Sequence, residues 1–148
     1  MRVPEDLREG CLGFPWITQR TAPRRLPEAP GAYVLLIRLG RRLAIDLPRL
    51  GTPVLEPGWY AYCGSAHGPG GIRARVLRHM RKDKKVRWHV DRLTIAAREV
   101  RAATFLDRSE CDLVARLLEA GFTVPVAGFG STDCENCPAH LLRRPQIG

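Results

Sequence analysis

The chain has 148 residues, enough for one domain with its own core and too few for two comfortable ones. Its hydrophobic content of 45% excludes a disordered chain, and no apolar run reaches the ~18 residues that would span a bilayer. Lys+Arg at 24 against Asp+Glu at 15 gives a formal charge of +9, which favours a polyanionic partner, nucleic acid or an acidic membrane surface; the plainer alternative is a basic protein from an arginine-rich proteome.

Residues 1–27 are proline-broken and read as an irregular N-terminal arm, draped on the domain through Leu12, Phe14, Trp16 and Ile17. They contain no apolar signal-peptide core. The domain proper is expected over 28–148. "GAYVLLIRL" (31–39) fits a buried strand, Gly40-Arg41-Arg42 a tight turn, and "RLAIDL" a second strand returning beside the first. "GWYAYCG" (58–64) is a third strand, with Trp59, Ala61 and Cys63 on one face and Tyr60 and Tyr62 on the other. Gly68, Pro69, Gly70 and Gly71 end it. A helix from about Gly71 to Arg81 follows, with Ile72, Val76, Leu77 and Met80 facing the core. "VRWHVDRLT" fits strand or helix equally, and "EVRAATFL" (99–106) alternates as a strand. A second helix opens at Asp107-Arg108-Ser109-Glu110 and ends at Gly121. The tail is too glycine-rich and polar for regular structure over most of its length. These elements predict an α+β fold, a small antiparallel sheet flanked by helices.

Tyr60 and Tyr62 share a strand face, and with Tyr33 on a neighbouring strand three phenols would gather in one place; ordinary aromatic packing is the alternative. The glycines that follow let a backbone or a phosphate approach closely. Arg75 and His79 lie at i, i+4 on the edge of the helix's apolar face, a placement suited to clamping a phosphoryl oxygen. Tyr60, Ser65, Arg73, Arg78, Arg81, Lys82, Lys84, Lys85 and Arg87 are candidate nucleic-acid contacts, against the alternative of a solvated cationic face. Glu110 heads the stripe Leu113, Val114, Leu117, Leu118, so its carboxylate faces inward and needs a cation, a metal or donors. The competing role is a capping box, Asp107 as N-cap and Glu110 at N3.

His89 and Asp91, two apart, would form an imidazole–carboxylate pair if they lay on a strand. Cys134, Cys137 and His140 make a C-x2-C-x2-H that could hold zinc if Asp133, His89 or Cys111 supplied a fourth ligand; a disulfide or reduced thiols are the alternatives. An odd count of five cysteines, with no secretory framework, points to a reducing cytoplasm.

"GAY" (31–33) and "YCG" (62–64) resemble the two short motifs of the GIY-YIG endonucleases, and "IRARVLRH" (72–79) the arginine-bearing helix that follows them. "GWYAYCGSA", "RHMRKDKKVRWHVDRL", "SEC" and "GFGSTDC…C…HL" are similar to the DUF123 branch of that superfamily, over residues 28 to about 142. The resemblance implies phosphodiester hydrolysis with one divalent ion, Mg²⁺ or Mn²⁺, held by Glu110. It implies Tyr33 and Tyr62 as the motif tyrosines that position or deprotonate water. Arg75 would then neutralise charge on the phosphorus, and His79 would be a polar partner one turn on. His89 and Asp91 would belong to the site without an assigned role. The sequence departs from the nuclease pattern at Ala32, in the longer "SAHGPGG" link, and in lacking a late asparagine. The expected function is a metal-dependent endonuclease acting on nucleic acid, with DNA favoured over RNA as the partner. The alternatives are a non-cutting nucleic-acid-binding module with the same fold, and a zinc-stabilised or redox interaction protein.

Overall fold

Gly31–Leu39 is apolar on both faces, and strand β1, which it forms, is buried on both sides along most of its length. The computed structural model describes residues 14–130 and 137–145. Tyr33, Leu35, Ile37 and Leu39 point into one hydrophobic cluster, Ala32, Val34 and Leu36 into a second. The period-2 alternation of the strand thus feeds two cores. Leu43–Ala44 (β2) and Val54–Leu55 (β3) pair in a two-stranded sheet of their own. Gly58–Ala66 (β4), Glu99–Phe105 (β5) and Leu141–Arg143 (β6) join β1 in an antiparallel sheet of order β5-β1-β4-β6.

The helices cover the two faces. Gly71–Met80 (α2) and Asp91–Ala96 (α3) place Ile72, Val76 and Leu93 over one cluster. Glu110–Glu119 (α4) lays Leu113, Val114 and Leu117 over the other. The architecture is the expected α+β, with the sheet as the middle layer. Trp59, Ala61 and Cys63 face the α4 side and Tyr60 and Tyr62 the opposite side, as the alternation of β4 requires.

Three features differ from the sequence expectation. "RLAIDL" does not return beside β1, because both edges of β1 are taken, by β4 and by β5. The excursion instead folds on itself: Ile45 N–H donates to Pro53 O at 3.0 Å and Leu47 N–H to Gly51 O at 2.9 Å. Residues 14–27 are also more ordered than an irregular arm. Ile17 exchanges hydrogen bonds with Ala102 at 2.6 and 2.9 Å, Ala22–Arg25 makes a single turn (α1), and Phe14, Ile17, Ala22 and Leu26 are buried; Leu12 lies outside the described residues. The tail, in turn, contributes β6.

The glycines after β4 admit backbone. Gly70 and Gly71 have φ of 81° and 59°, and a Cβ on Gly71 would stand 2.1 Å from Glu28 O. Ile72 N–H donates to Ala29 O at 3.0 Å and Arg73 N–H to Pro27 O at 2.9 Å. These carbonyls satisfy donors that the first turn of a helix leaves without intrahelical partners.

Candidate active site

In the register of the sheet, Ala32 faces Ser65 of β4 and Phe105 of β5. One end of the sheet is therefore the place where β1 begins and β4 and β5 finish. A polar cavity of about 250 Å³ opens there, lined by Tyr33, Tyr62, Arg75, Glu110 and His140, with Gly64, Ser65 and Gly130. Two adjacent antiparallel strands supply the tyrosines, α2 the arginine and the head of α4 the glutamate. Gly64 makes the tyrosine placement possible. A Cβ there would lie 2.5 Å from Tyr33 Oη, so any larger residue displaces the phenol.

Tyr33 is buried, and its hydroxyl shares a 2.7 Å hydrogen bond with His79 Nε2. Burial, then the neighbouring Tyr62, raises the Tyr33 phenol, with Arg75 pulling the other way. Burial, then Glu110, raises Tyr62. Both are neutral phenols at neutral pH. His79 is 1% exposed and packed against the rings of Tyr33, Tyr62 and Trp88. Burial, then Lys84, pushes its pKa down to about 3, and its Nδ1 has no hydrogen-bond partner among the described residues.

This burial carries a pH signature. An unfolded histidine binds a proton near pH ~6.5, whereas folded His79 does so only near 3. Between those values the unfolded state holds more protons, so the contribution is full above ~6.5 and is lost as pH falls. Unfolding free energy measured by urea titration should drop toward pH 4 with a slope from this group of up to about 1.4 kcal/mol per pH unit. His79→Gln should flatten that limb; an unchanged slope in the variant would reject the assignment.

Arg75 Nη1 donates to Ser65 O at 3.3 Å, and its guanidinium lies 4.5 Å from the ring centroid of Trp88. Arg78 stacks on the same ring at 4.3 Å. Trp88 was not among the residues the sequence singled out, and no local spacing marks it; the fold brings it under the guanidiniums of Arg75 and Arg78, with that of its neighbour Arg87 at 5.3 Å.

Glu110 occupies the first turn of α4, its side chain 29% exposed, with Oε2 3.9 Å from His140 Nδ1. The expected competition with capping is resolved by a different pair. Ser109 is the N-cap: its hydroxyl accepts from Asp112 N–H at 3.1 Å, and Asp112 Oδ2 accepts from Ser109 N–H at 3.3 Å. Neither Asp107 nor Glu110 is used, which leaves the Glu110 carboxylate to the cavity.

Several candidate contacts turn inward. Tyr60 is fully buried and its hydroxyl donates to Glu56 O at 2.6 Å, so it is no nucleic-acid contact and does not join Tyr33 and Tyr62. Lys84 has a 2% exposed side chain and donates to Arg78 O, His79 O and Thr94 Oγ1, with burial as the first cause of a pKa lowered to about 8. Lys82 Nζ is spent on the carbonyls of Thr94 and Ala97. Arg73 pairs with Glu28 at 3.2 Å. Arg81, Lys85 and Arg87 are exposed, and Ser65 lines the cavity.

His89 and Asp91 do not pair. His89 lies in the turn entering α3 and Asp91 is that helix's first residue, so neither is on a strand. Asp91 is fully buried, accepting from both Nη atoms of Arg78 at 3.0 Å and from the Arg87 and Trp88 amides at 2.8 and 3.0 Å. His89 Nδ1 instead accepts from Gly130 N–H at 3.0 Å, supporting the cavity wall from behind. Of the C-terminal cluster, Cys134 lies outside the described residues. Cys137 and His140 come together with Cys111, their donor atoms within 4.8 Å of one another.

The chain belongs to the DUF123 family, described as a domain of unknown function, whose model matches residues 32–147. No curated protein and no solved structure matches it. Among the described residues no helix is long and apolar enough to cross a membrane.

Proposed function

We propose that the protein is a metal-dependent endonuclease of GIY-YIG type. The observation that carries this reading is the convergence of Tyr33, Tyr62, Arg75 and Glu110 on one cavity from two strands and two helices. That is the donor and acceptor set phosphodiester hydrolysis needs.

Glu110 would hold the divalent ion. It is the one carboxylate lining the cavity among the described residues, and the lining is otherwise hydroxyls, a guanidinium and an imidazole. A hard ion such as Mg²⁺ fits such a site, since it takes one or two carboxylates and keeps several waters. When bound, the ion supplies positive charge opposite the leaving oxygen. The Arg75 guanidinium neutralises the oxygens on which charge develops; its bond to Ser65 O and its stack on Trp88 hold it in place before substrate arrives. Tyr33 and Tyr62, neutral because buried, act by orienting a water and not as standing phenolates. The His79 bond and the neighbouring Arg75 guanidinium fix the Tyr33 hydroxyl at the cavity wall, where it would meet that water.

A second cavity of about 230 Å³ shares Arg75 and is lined by Arg78, Arg87 and Trp88; a third, of about 500 Å³, shares Ser65 and Glu110. Together they suit an extended strand, its phosphates crossing the arginines and one of them reaching Glu110. The test is a panel of labelled DNA and RNA, single-stranded, duplex and branched, with Mg²⁺ or Mn²⁺ and with chelator. Cleavage of DNA in the metal arms alone is expected. Tight, salt-sensitive binding with no cleavage in any arm would replace the enzyme with a binding module.

A further inference from the structure

We infer that Cys111, Cys137 and His140 form a zinc site of their own beside the Glu110 carboxylate. The inference does not depend on the nuclease reading. Two sulfurs and an imidazole supply three of the four ligands a tetrahedral zinc takes, the fourth position falling to water, and here one atom of each lies within 4.8 Å of the others. They come from separate parts of the chain. Cys111 follows Glu110 in the first turn of α4, while Cys137 and His140 lead into β6 at the sheet edge. The fold, and not a local motif, assembles them.

The surroundings fit a bound cation. Cys137 and His140 are 9% and 4% exposed, and His140 Nε2 is buried with no hydrogen-bond partner among the described residues. A buried ring nitrogen left so is costly unless something coordinates it. Cys137 Sγ donates to Cys111 Sγ at 2.7 Å, which places the thiols on one point. Tetrahedral zinc with bonds of ~2.3 Å to sulfur sets its sulfurs about 3.8 Å apart, so loading asks the two side chains, now 2.7 Å apart, to separate by about 1 Å.

Charge balance explains why this ion and that of Glu110 need not compete. Two thiolates neutralise Zn²⁺, so the loaded site adds no net charge against a second cation on the carboxylate nearby. The thiols lose their protons to solvent on binding, with no change of oxidation state. The site pins the approach to β6 onto the start of α4. It thereby fixes His140, which lines the cavity, and Cys111, the residue next to Glu110.

The experiment uses the full chain, purified with reductant. Elemental analysis should find one zinc per chain. After chelation, Co²⁺ alone should give tetrahedral visible bands and thiolate-to-cobalt charge-transfer absorption. Cys111→Ser and Cys137→Ser should each weaken zinc at least ~100-fold in a chelator competition. Cys63→Ala removes a buried sulfur that borders Cys111 and Cys137 without belonging to the ligand group, and should keep the metal. Zinc retained at full affinity by folded Cys111→Ser would overturn the inference, as would a wild type that takes up no zinc or Co²⁺. Thiol counting that finds Cys111 and Cys137 joined as a disulfide in the reduced preparation would do the same. Should the serine variants not fold, the wild-type stoichiometry and Co²⁺ spectrum decide alone.

Discussion

Glu110→Gln should abolish cleavage in Mg²⁺ and Mn²⁺ while leaving DNA affinity within about twofold, because the change is nearly isosteric and hard cations bind neutral amides poorly. The fold should barely register it. The capping box belongs to Ser109 and Asp112, so the variant loses a first-turn charge, worth about 0.3–1 kcal/mol at a helix N-terminus, and the charge in a long 3.9 Å contact with His140. A large loss of rate with a small change in melting temperature is therefore the expected pairing, read by a gel cleavage assay and thermal denaturation on the same sample. Persistent cleavage in Glu110→Gln would remove the metal role. Its zinc content should be unchanged, which separates this site from that of Cys111, Cys137 and His140.

Asp91→Ala should be the most destabilising single change at the cavity's support. Asp91 is fully buried under Arg78 and 3.9 Å from Lys84, whose side chain is itself 2% exposed. Removing the acid leaves two cations side by side with no anion, and breaking one partner of such a buried pair costs about 3–5 kcal/mol. That is a large share of a typical stability of about 5–15 kcal/mol. Burial alone would raise the Asp91 carboxyl, but the Arg78 hydrogen bonds, then the Trp88 and Arg87 amides, outweigh it and hold the group below the usual carboxylate range. Its folded pKa being depressed, the contribution is present above ~4, the unfolded value, and is lost as pH falls through the folded one. Urea titrations should show a lower midpoint for Asp91→Ala at neutral pH and a flatter acid limb. A loss under about 1 kcal/mol would show that water replaces the carboxylate.

The long periodic segments could be read before folding was known. β1 and β4 announce themselves as β-forming apolar runs of nine residues, and α2 and α4 by apolar residues recurring at helical spacing over ten. The burial of His79 follows from the same logic, since it lies at i+7 from Ile72 and i+3 from Val76. What stayed hidden depends on tertiary partners. α3 is set by Asp91 collecting the Arg87 and Trp88 amides, which leaves no mark in hydropathy. Basic residues in "RKDKK" look like one solvated face, yet Lys84 is withdrawn onto the carbonyls of Arg78 and His79, and Lys82, though exposed along its length, turns its Nζ onto those of Thr94 and Ala97, while Lys85 stays exposed. Tyr60 and Tyr62 share a strand face, but the site lies at one end of the sheet, and Tyr60, farther from that end, bonds to Glu56 instead. Cys111 is one of three residues the sequence offers as a further ligand to the Cys137 and His140 cluster, and only the fold, bringing it across 26 residues of sequence, selects it over His89.

The carbonyls of Pro27 and Ala29 on the first turn of α2 bear on how small a working version of this protein can be. A chain trimmed to the family match at residue 32 would keep Arg75 and His79 in its sequence and lose the backbone that holds their helix open-ended side down. It would also discard Phe14, Ile17, Ala22 and Leu26, which plug both faces of the sheet. The stretch ahead of the recognisable domain is thus part of its keel, and a minimal fragment has to begin upstream of Phe14.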